Sequence, residues 1–407
     1  MGNYKQKNMK KIFYFALCIV LTAVAAPLIA SANGGVWIWP PNIYVNQTDQ
    51  NAIIAWNGQE EILILSTNWE KSASSSAATL LKVAPLPSEP LEIKEGATEI
   101  FDKLIKILNE KIDAIQSQRI GKGEGLGASG AEQGVEIVFQ KIIGAHDVTV
   151  VKVNKERDFS QWIDNFAVAK NLEKKQISAQ FKQGLGNYLK RNINYFVFDI
   201  ANLNEAKTTI KPLVYKFPSN YLYFPILVSG ISEIADSQTR INLFLVFNEN
   251  LKLPEQIWHK TYKYNYWVHD DRTDIKLTDN ELKNVSEDLS SLFSADVVVR
   301  RLAISGKLSQ IDKDLMLFPQ VLTTNLKIGA KGNDVKILQQ LLINEGLWES
   351  PVGATGYFGP ITKRAVMKFQ GQYKAQILEP LGLVSPTGFF GPYTRKYLNE
   401  NVFIGAK

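Results

Sequence analysis

Short runs of apolar and β-branched residues recur from residue 33 onward and predict strands. The runs AIIAW and EEILILSTNW are separated by the polar stretch NGQE, a pattern typical of a β-hairpin. We expect Glu60 and Glu61 on the surface of that hairpin. A third run, TLLKVAPLPSEP, ends in prolines, which cannot donate to a strand ladder and therefore stop the pairing.

The spacing then becomes helical. Four apolar residues at four-residue intervals within ATEIFDKLIKILNEKIDAIQSQR predict an amphipathic helix: Ile100, Leu104, Leu108 and Ile112. Residues 121–134 are rich in glycine and are interpreted as a flexible connection. They contain GLGASG, but a nucleotide-binding turn should follow a strand and open a helix, whereas this one follows a helix and precedes a strand.

Strand and helix patterns alternate in the next region. VEIVFQKIIGAHDVTVVKV predicts two strands around Gly144, and DFSQWIDNFAVAKNL predicts a helix with Asp158 as its N-cap. KKQISAQFKQGLGNYLKRN predicts a second helix. Four aromatic and β-branched runs predict strands: INYFVFDIANL, IKPLVYKF, YLYFPILVSGI and RINLFLVFN. IWHKTYKYNYWV alternates as an edge strand would, and a polar helix is expected around residues 279–292.

The C-terminal region repeats one pattern. TGYFGPITKRAVMKFQ begins at Thr355 and TGFFGPYTRKYLNE begins at Thr387. Each copy predicts a glycine turn, an inward-pointing phenylalanine (Phe358 or Phe390) and a helix that opens at a proline. The expected apolar helical stripes are Ile361, Ala365, Val366 and Phe369 in the first copy, and Tyr393, Tyr397 and Leu398 in the second. A further helix, NDVKILQQLLINEG, precedes both copies.

These patterns together predict an α+β fold. A large mixed-sheet N-terminal domain spans residues 33–310, and a small all-α three-helix C-terminal domain spans residues 322–401. Residues 311–321 are expected to link the two domains.

The N-terminus has the layout of a secretory signal peptide. MKKIFYFALCIVLTAVAAPLIASA has a basic start, an apolar run and a small-residue ending, which predicts a signal peptide over residues 1–32. The alternative is an uncleaved anchor, because the apolar stretch is nearly long enough to span a bilayer. The single cysteine, Cys18, lies in this segment, so the exported chain would carry no disulfide. We expect an exported protein of the periplasm or cell surface that meets the membrane only through its signal segment.

Removal of the signal segment changes the charge balance. The whole chain has a net charge of +6, but residues 1–32 contribute four lysines and no acid, which leaves +2. From residue 322 onward ten basic residues face five acidic ones, whereas residues 33–321 are slightly acidic. The weak overall charge argues against a nucleic-acid partner.

The sequence contains few of the residue combinations that known catalytic sites use. Without a thiol, cysteine-dependent catalysis is excluded, and the three histidines form neither H-E-x-x-H nor H-x-H. The sequence has no G-x-S-x-G or S-x-x-K motif, and we expect no cofactor and no metal. His269, Asp270 and Asp271 are interpreted as a solvated turn. Two carboxylates distant in sequence would leave no local signature, so a lysozyme-like pair stays open.

The C-terminal region resembles the small three-helix peptidoglycan-binding domains of bacterial cell-wall enzymes. The matching frame consists of Leu326, Gly329, Gly332, Asp334, Val335, Leu338, Gln339, Leu342, Gly346, Gly356, Phe358, Gly359, Thr362, Ala365, Val366, Phe369, Gln370, Gly388, Phe390, Gly391, Thr394 and Leu398. One departure is that Thr355 and Thr387 stand where the family often has aspartate. The resemblance implies peptidoglycan as the partner.

Peptidoglycan offers sugar rings and peptide carboxylates. Aromatic faces suit the sugars and basic side chains suit the carboxylates, so the candidate binding residues are Tyr357, Arg364, Tyr373 and Arg395. For each of them, the alternative is ordinary packing or a solvated surface position.

Residues 33–310 resemble a bacterial secreted family that is known only as a domain of unknown function. The resemblance rests on NGGVWIWPP, VAPLPSEP, FSQWIDNFAVAK and IKPLVYKFPSNYLYFPILVS. Relatives often carry cysteines near the Gly-Gly start, where this chain has Trp37 and Trp39.

Two functional hypotheses remain. The first is a non-enzymatic protein that its C-terminal domain tethers to the cell wall. The second is a peptidoglycan-targeted hydrolase with an unrecognised carboxylate-type active site. The lack of a readable catalytic constellation favours the first.

Overall fold

The structure is a computed structural model that describes residues 35–39, 45–71, 78–115, 135–172, 177–203, 207–232, 238–249, 266–270, 273–307, 309, 311, 314–318, 322–350 and 352–401. The predicted signal peptide, Cys18 and the glycine-rich stretch at 121–134 lie outside these ranges. No helix in the described ranges is both long enough and apolar enough to cross a membrane.

The described ranges contain strands and helices in alternation. The strands are β1 (Gly35–Trp39), β2 (Val45–Trp56), β3 (Glu60–Lys71), β4 (Ala78–Leu86), β5 (Glu92–Glu95), β6 (Val135–Ile143), β7 (His146–Val153), β8 (Tyr195–Leu203), β9 (Lys207–Pro218), β10 (Leu222–Phe224), β11 (Gln238–Asn248), β12 (Tyr266–Asp270), β13 (Ile275–Leu277), β14 (Val297–Lys307) and β15 (Leu315–Leu317). The helices are α1 (Glu99–Ile115), α2 (Glu156–Ala169), α3 (Ala179–Lys190), α4 (Leu227–Gly230), α5 (Asp279–Val285), α6 (Glu287–Ser291), α7 (Asn333–Asn344), α8 (Pro360–Gln372), α9 (Lys374–Ile377) and α10 (Pro392–Asn401), with a 3-10 turn at Glu379–Leu381.

The strands form two large sheets and one small one. The larger sheet has the order β12-β14-β11-β2-β3-β9-β5, with β13 also paired to β14. The second sheet has the order β1-β4-β8-β7-β6, and β10 pairs with β15. β2 and β11 run parallel, whereas the other pairs among the described strands are antiparallel. The α+β prediction is therefore confirmed.

The larger sheet is covered on both faces. Because side chains alternate along a strand, Ile53 and Ile64 pack with Leu104 and Leu108 of α1 in one cluster, while Ile54 lies in the cluster on the opposite face. The second sheet lies against that opposite face.

The second sheet is also covered on both faces. Trp37 packs on Phe181 of α3 with ring centroids 5.5 Å apart. The alternate residues of β1, Val36 and Ile38, join a cluster with Trp69 of the larger sheet. The body is therefore layered helix, sheet, sheet, helix, and the two tryptophans near its start are core residues.

Helix α7 fixes the C-terminal helical domain against the body. Val335, Leu338 and Leu342 share one face and pack in the helical domain, but Ile337 and Leu341 on the opposite face are only 4% and 3% exposed. A helix buried on two faces needs a second partner, and the body and the helical domain share one continuous apolar cluster.

Two contacts from the end of α3 support this docking. Nε2 of Gln340 donates to the backbone oxygen of Arg191 at 3.4 Å. Gly353 lies so close to Asn192 that an added Cβ would stand 2.5 Å from the Asn192 side chain.

The prediction of a strand over YLYFPILVSGI is wrong after its first residues. β10 ends at Phe224, because Pro225 has no N–H to continue the ladder. The chain then forms the short helix α4, in which the backbone N–H of Leu227 donates to Oδ1 of Asp314 at 2.9 Å.

The segment predicted as a linker holds part of the body. Leu315–Leu317 pairs with Leu222–Phe224, and Asp314 is completely buried. The domain boundaries themselves stay predictions.

The prediction of Asp158 as an N-cap is also wrong. Helix α2 begins at Glu156, and its N-cap, Lys155, makes no side-chain capping bond. Asp158 lies in the first turn, where a negative charge is favourable near the helix N-terminus. The polar helix expected at 279–292 is two helices, because Ser286 ends α5 and caps α6.

Two surface assignments and one core assignment need correction as well. Glu61 is buried, and its Oε2 accepts the backbone N–H of Tyr223 at 2.7 Å. His269 and Asp270 lie in β12 rather than in a turn. Tyr393 is 42% exposed, because the helix turns Thr394 inward in its place.

Candidate functional site

The first C-terminal turn is held by one buried glutamine. Nε2 of Gln339 donates to the backbone oxygen of Tyr357 at 2.8 Å and to Oγ1 of Thr362 at 2.9 Å. Its Oε1 accepts the backbone N–H of Gly356 at 2.8 Å, and φ at Gly356 is +76°, as the turn prediction requires. A buried amide with every partner in place fixes one turn conformation.

The second turn repeats this arrangement. Nε2 of Gln370 donates to the backbone oxygen of Phe389 at 2.8 Å and to Oγ1 of Thr394 at 3.0 Å. Its Oε1 accepts the backbone N–H of Gly388 at 2.9 Å, and φ there is +71°. The repeated sequence thus encodes two copies of one glutamine-clamped turn.

The threonines that replace the family's aspartates support the turns. Oγ1 of Thr355 accepts the backbone N–H of Tyr357 at 3.2 Å, and Oγ1 of Thr387 accepts that of Phe389 at 3.1 Å. A hydroxyl can make the same local bond as a carboxylate at such a position. The substitution therefore preserves the turn but removes a negative charge from its surface.

Both turns pair with one short segment, residues 326–331. Leu326 forms a bridge with Phe390 of the second turn, and Lys331 forms a bridge with Tyr357 of the first. The two bridges lie five positions apart along the chain, so the turns lie no more than about 17 Å apart along the segment.

Each turn presents one exposed aromatic ring. Tyr357 is 45% exposed and Phe389 is 41% exposed, while the following residues, Phe358 and Phe390, are buried. Nζ of Lys331 lies 5.7 Å from the ring centroid of Tyr357. Phe389 is not among the sequence-predicted candidates, although its position in the repeat is equivalent to that of Tyr357.

The predicted arginines lie in different surroundings. Arg395 is half-buried at the start of α10 and donates to Oδ1 of Asn325, next to the segment that joins the turns. Arg364 is exposed on α8, near Glu349. A hydrogen bond and the charge of Lys368, with a smaller contribution from Arg364, lower the pKa of that glutamate.

Tyr373 is largely a packing residue. Its ring lies 4.9 Å from that of Phe369 and 4.6 Å from that of Tyr397, and burial raises its pKa. It stands nine residues beyond Arg364, which is about 13 Å along a helix. Of the four predicted residues, Tyr357 and Arg395 therefore flank the segment between the turns, whereas Arg364 lies on α8 and Tyr373 directly follows that helix.

A cavity of about 790 Å³ between the body and the helical domain contains two carboxylates, Glu156 and Glu349. Glu156 pairs with Lys190 at 3.1 Å, and Glu349 pairs with Lys368. A glycosidase general acid needs a raised pKa, but the pKa of Glu349 is lowered. Glu349 therefore lacks the electrostatics of an acid catalyst.

Among the residues that the structure describes, two carboxyl groups have raised pKa values. Burial raises the pKa of Asp314 to about 6 and that of Glu61 well above its usual range. Both residues are completely buried, and each accepts a hydrogen bond from a backbone N–H, that of Leu227 and that of Tyr223 respectively. No substrate reaches them in this arrangement, so they belong to the core.

A buried ionic cluster connects the two large sheets. Asp199 accepts from Nδ1 of His146 at 2.9 Å and pairs with Nζ of Lys82 at 2.5 Å, while Nε2 of His146 lies 2.9 Å from the backbone oxygen of Lys211. Burial alone would raise the pKa of Asp199, but Lys82 and His146 outweigh it and hold that pKa below its usual value. The adjoining cavity of about 20 Å³ has room for little more than one water, so this cluster acts as a cross-sheet tie.

Comparisons with known families match both parts of the chain. Residues 28–251 match a family described as uncharacterized proteins conserved in bacteria (DUF2330), and residues 331–377 match a peptidoglycan binding domain (PG_binding_1). Both resemblances inferred from the sequence are confirmed. The match to the peptidoglycan binding domain contains the first turn and ends before the second.

Comparisons with individual proteins add little. No curated protein matches the sequence significantly. Among solved structures, baculovirus P35 is 11% identical, with a TM-score of 0.34 over 69% of this chain and 99% of that chain. P35 in its complex with caspase-8 is 9% identical, with a TM-score of 0.31 over 67% and 96%. Scores this low support no inference about function.

Proposed function

The chain belongs to the family of uncharacterized proteins conserved in bacteria (DUF2330), and on that premise we propose that it is an exported, cell-wall-associated protein that binds peptidoglycan through its C-terminal domain and holds a non-enzymatic body at the wall. The match of residues 331–377 to a peptidoglycan binding domain carries this proposal. The signal-type segment at residues 1–32 supports export.

The proposed contact surface is the turn face, defined as Tyr357, Phe389, Lys331 and Arg395. Two exposed rings on adjacent turns suit successive sugar rings, and the two basic side chains suit peptide carboxylates. Arg364 and Tyr373 stay proposed contacts at the side of this face.

The proposal that the body is not an enzyme rests on its carboxylates. Those in the large cavity are paired with lysines, and those with raised pKa values are sealed in the core. Incubation of the protein with purified sacculi should therefore release no soluble muropeptides. Release of fragments would instead support the peptidoglycan-hydrolase alternative.

Cosedimentation with insoluble peptidoglycan sacculi tests the proposal. The full protein should sediment with the sacculi, and Tyr357→Ala combined with Phe389→Ala should lower the affinity about tenfold or more, at about 1 kcal/mol per ring. Val384→Ala is the matched control, because Val384 is an apolar residue of the same domain that is 84% exposed and lies outside both turns. Failure of the unaltered protein to sediment would contradict the function, and unchanged sedimentation of the double variant would contradict the turn face.

A further inference from the structure

A cleft of about 690 Å³ opens between the body and helix α7. This volume lies within the range of about 300–1,000 Å³ that is usual for ligand pockets. The body contributes the loops that follow β2, β4 and β9, and α7 contributes Lys336 and Gln340. Neither domain forms the cleft by itself.

The walls of the cleft are held in place. Ile337 and Leu341 of α7 are buried, while Lys336 and Gln340, one turn apart, line the opening. The bond from Gln340 to the backbone of Arg191 joins the two walls at one edge. A preformed site loses less entropy on binding than a site that must assemble.

The lining mixes apolar and polar groups and contains one lysine, Lys336, and one carboxylate, Glu89. Four amide side chains line it, those of Gln59, Asn192, Asn220 and Gln340, and two largely buried tyrosines, Tyr195 and Tyr221, lie beside them. The hydroxyl of Tyr195 donates to Glu89 at 3.2 Å, and Lys336 supplies a positive charge. Amides and tyrosines suit a ligand that is rich in hydroxyl and N-acetyl groups, and a lysine suits a carboxylate.

The cleft adjoins the first turn. Cβ of Lys336 lies 3.8 Å from the position that a Cβ on Gly356 would take, so the residue next to Tyr357 packs on a residue of the cleft wall. The equivalent glycine of the second turn, Gly388, instead lies against Lys363 and Met367 of α8. A ligand bound at Tyr357 can therefore continue into the cleft.

We propose that this cleft is a second peptidoglycan subsite, which takes a peptide-bearing sugar unit and pairs a carboxylate of its peptide with Lys336. This inference rests on the proposed function of the C-terminal domain. With this subsite, the body is held at the wall and also contacts the ligand directly.

Binding of a soluble disaccharide-tetrapeptide, measured by calorimetry on the full protein, tests the subsite. Asn220→Trp should fill the cleft, and Lys336→Glu should repel the carboxylate. Each change should lower the fragment affinity about tenfold, which corresponds to 1.4 kcal/mol. Lys374→Glu, an exposed charge reversal on α9 outside the cleft, should leave the affinity unchanged. Unchanged melting temperatures would show that the variants are folded.

The outcomes separate the two proposals. The subsite is wrong, and the proposed function stands, if the unaltered protein binds sacculi but not the fragment. The same holds if the unaltered protein binds sacculi and both cleft variants bind the fragment as tightly as it does. If the unaltered protein binds neither sacculi nor fragment, the proposed function fails and the subsite fails with it. Loss of fragment binding in both variants, with sacculus binding reduced no more than about twofold, supports the subsite.

Discussion

The two C-terminal turns have nearly the same sequence and the same glutamine clamp, but different neighbours. The first turn packs beside α7, which is docked on the body, and its Gly356 has space around it. The second packs against α8, where the side chains of Lys363 and Met367 crowd Gly388. The repeated residues determine the turn, whereas the neighbouring elements determine what each turn tolerates and what ligand can reach it.

Removal of either clamping glutamine, Gln339 or Gln370, should have the largest effect on stability. Gln339→Leu or Gln370→Leu removes the acceptor of the turn-glycine N–H and the donor to a backbone carbonyl and a threonine hydroxyl, so each change should lower the free energy of unfolding by about 3 kcal/mol. Urea unfolding measures this loss.

Gln340→Leu is the control for the clamp variants. Gln340 is half-buried and makes one long bond, so the change should cost less than about 1 kcal/mol. A loss as large as that of the clamp variants would show that the clamps are not the source of the stability.

The body should add a pH dependence through Asp314, which is buried beside α3 and α4. Asp314 has a pKa of about 6 in the folded chain against about 3.9 when unfolded, so its contribution is fully present below pH 4 and is lost as pH rises through 6. The unaltered protein should therefore lose about 2 kcal/mol more than Asp314→Asn between pH 4 and 7.

Asparagine can keep the acceptor that Asp314 offers to Leu227 and Tyr188, so the variant should fold. Unfolding measured at several pH values gives the difference between the two proteins. Parallel curves would show that Asp314 does not titrate in this range.

Substitution of alanine for Gly356 or Gly388 should have a smaller effect on stability, and the two losses should differ between the turns. Both glycines have positive φ, so each substitution costs about 1 kcal/mol in backbone strain. At Gly388 the new Cβ would also stand 2.5 Å from Cγ of Lys363, whereas at Gly356 the nearest atom is 3.4 Å away. Gly388→Ala should therefore melt at a lower temperature than Gly356→Ala, and the reverse order would contradict the difference in packing.

Local patterns predicted much of the fold. The strands follow β-branched runs and alternation, and the turn glycines follow the repeat, because these features depend on neighbouring residues. The burial of Glu61 was not predictable, because its partner, Tyr223, lies 162 residues away. The pairing of β10 with β15 depends on a similarly distant contact.

Only part of the candidate site could be predicted from the sequence. Tyr357 was predicted as a candidate because aromatic faces suit sugar rings, and the same reasoning applied to the repeat would have added Phe389. The docking of α7 also had a signal, because Ile337 and Leu341 widen its apolar stripe beyond what a small bundle needs. The cleft had no signal in the sequence, because its walls come from segments that only the tertiary fold brings together.

The parallel pair of β2 and β11 has a consequence for how the chain folds. Gln50 pairs with Ile241 and Trp56 with Phe247, so the middle of the larger sheet joins residues that lie 191 positions apart. Proteins with such distant pairings fold in milliseconds to seconds, because the loop must close before the contact is gained. During synthesis β2 has no partner on one side until residue 248 has emerged from the ribosome, so the nascent body stays without its central sheet for most of its translation.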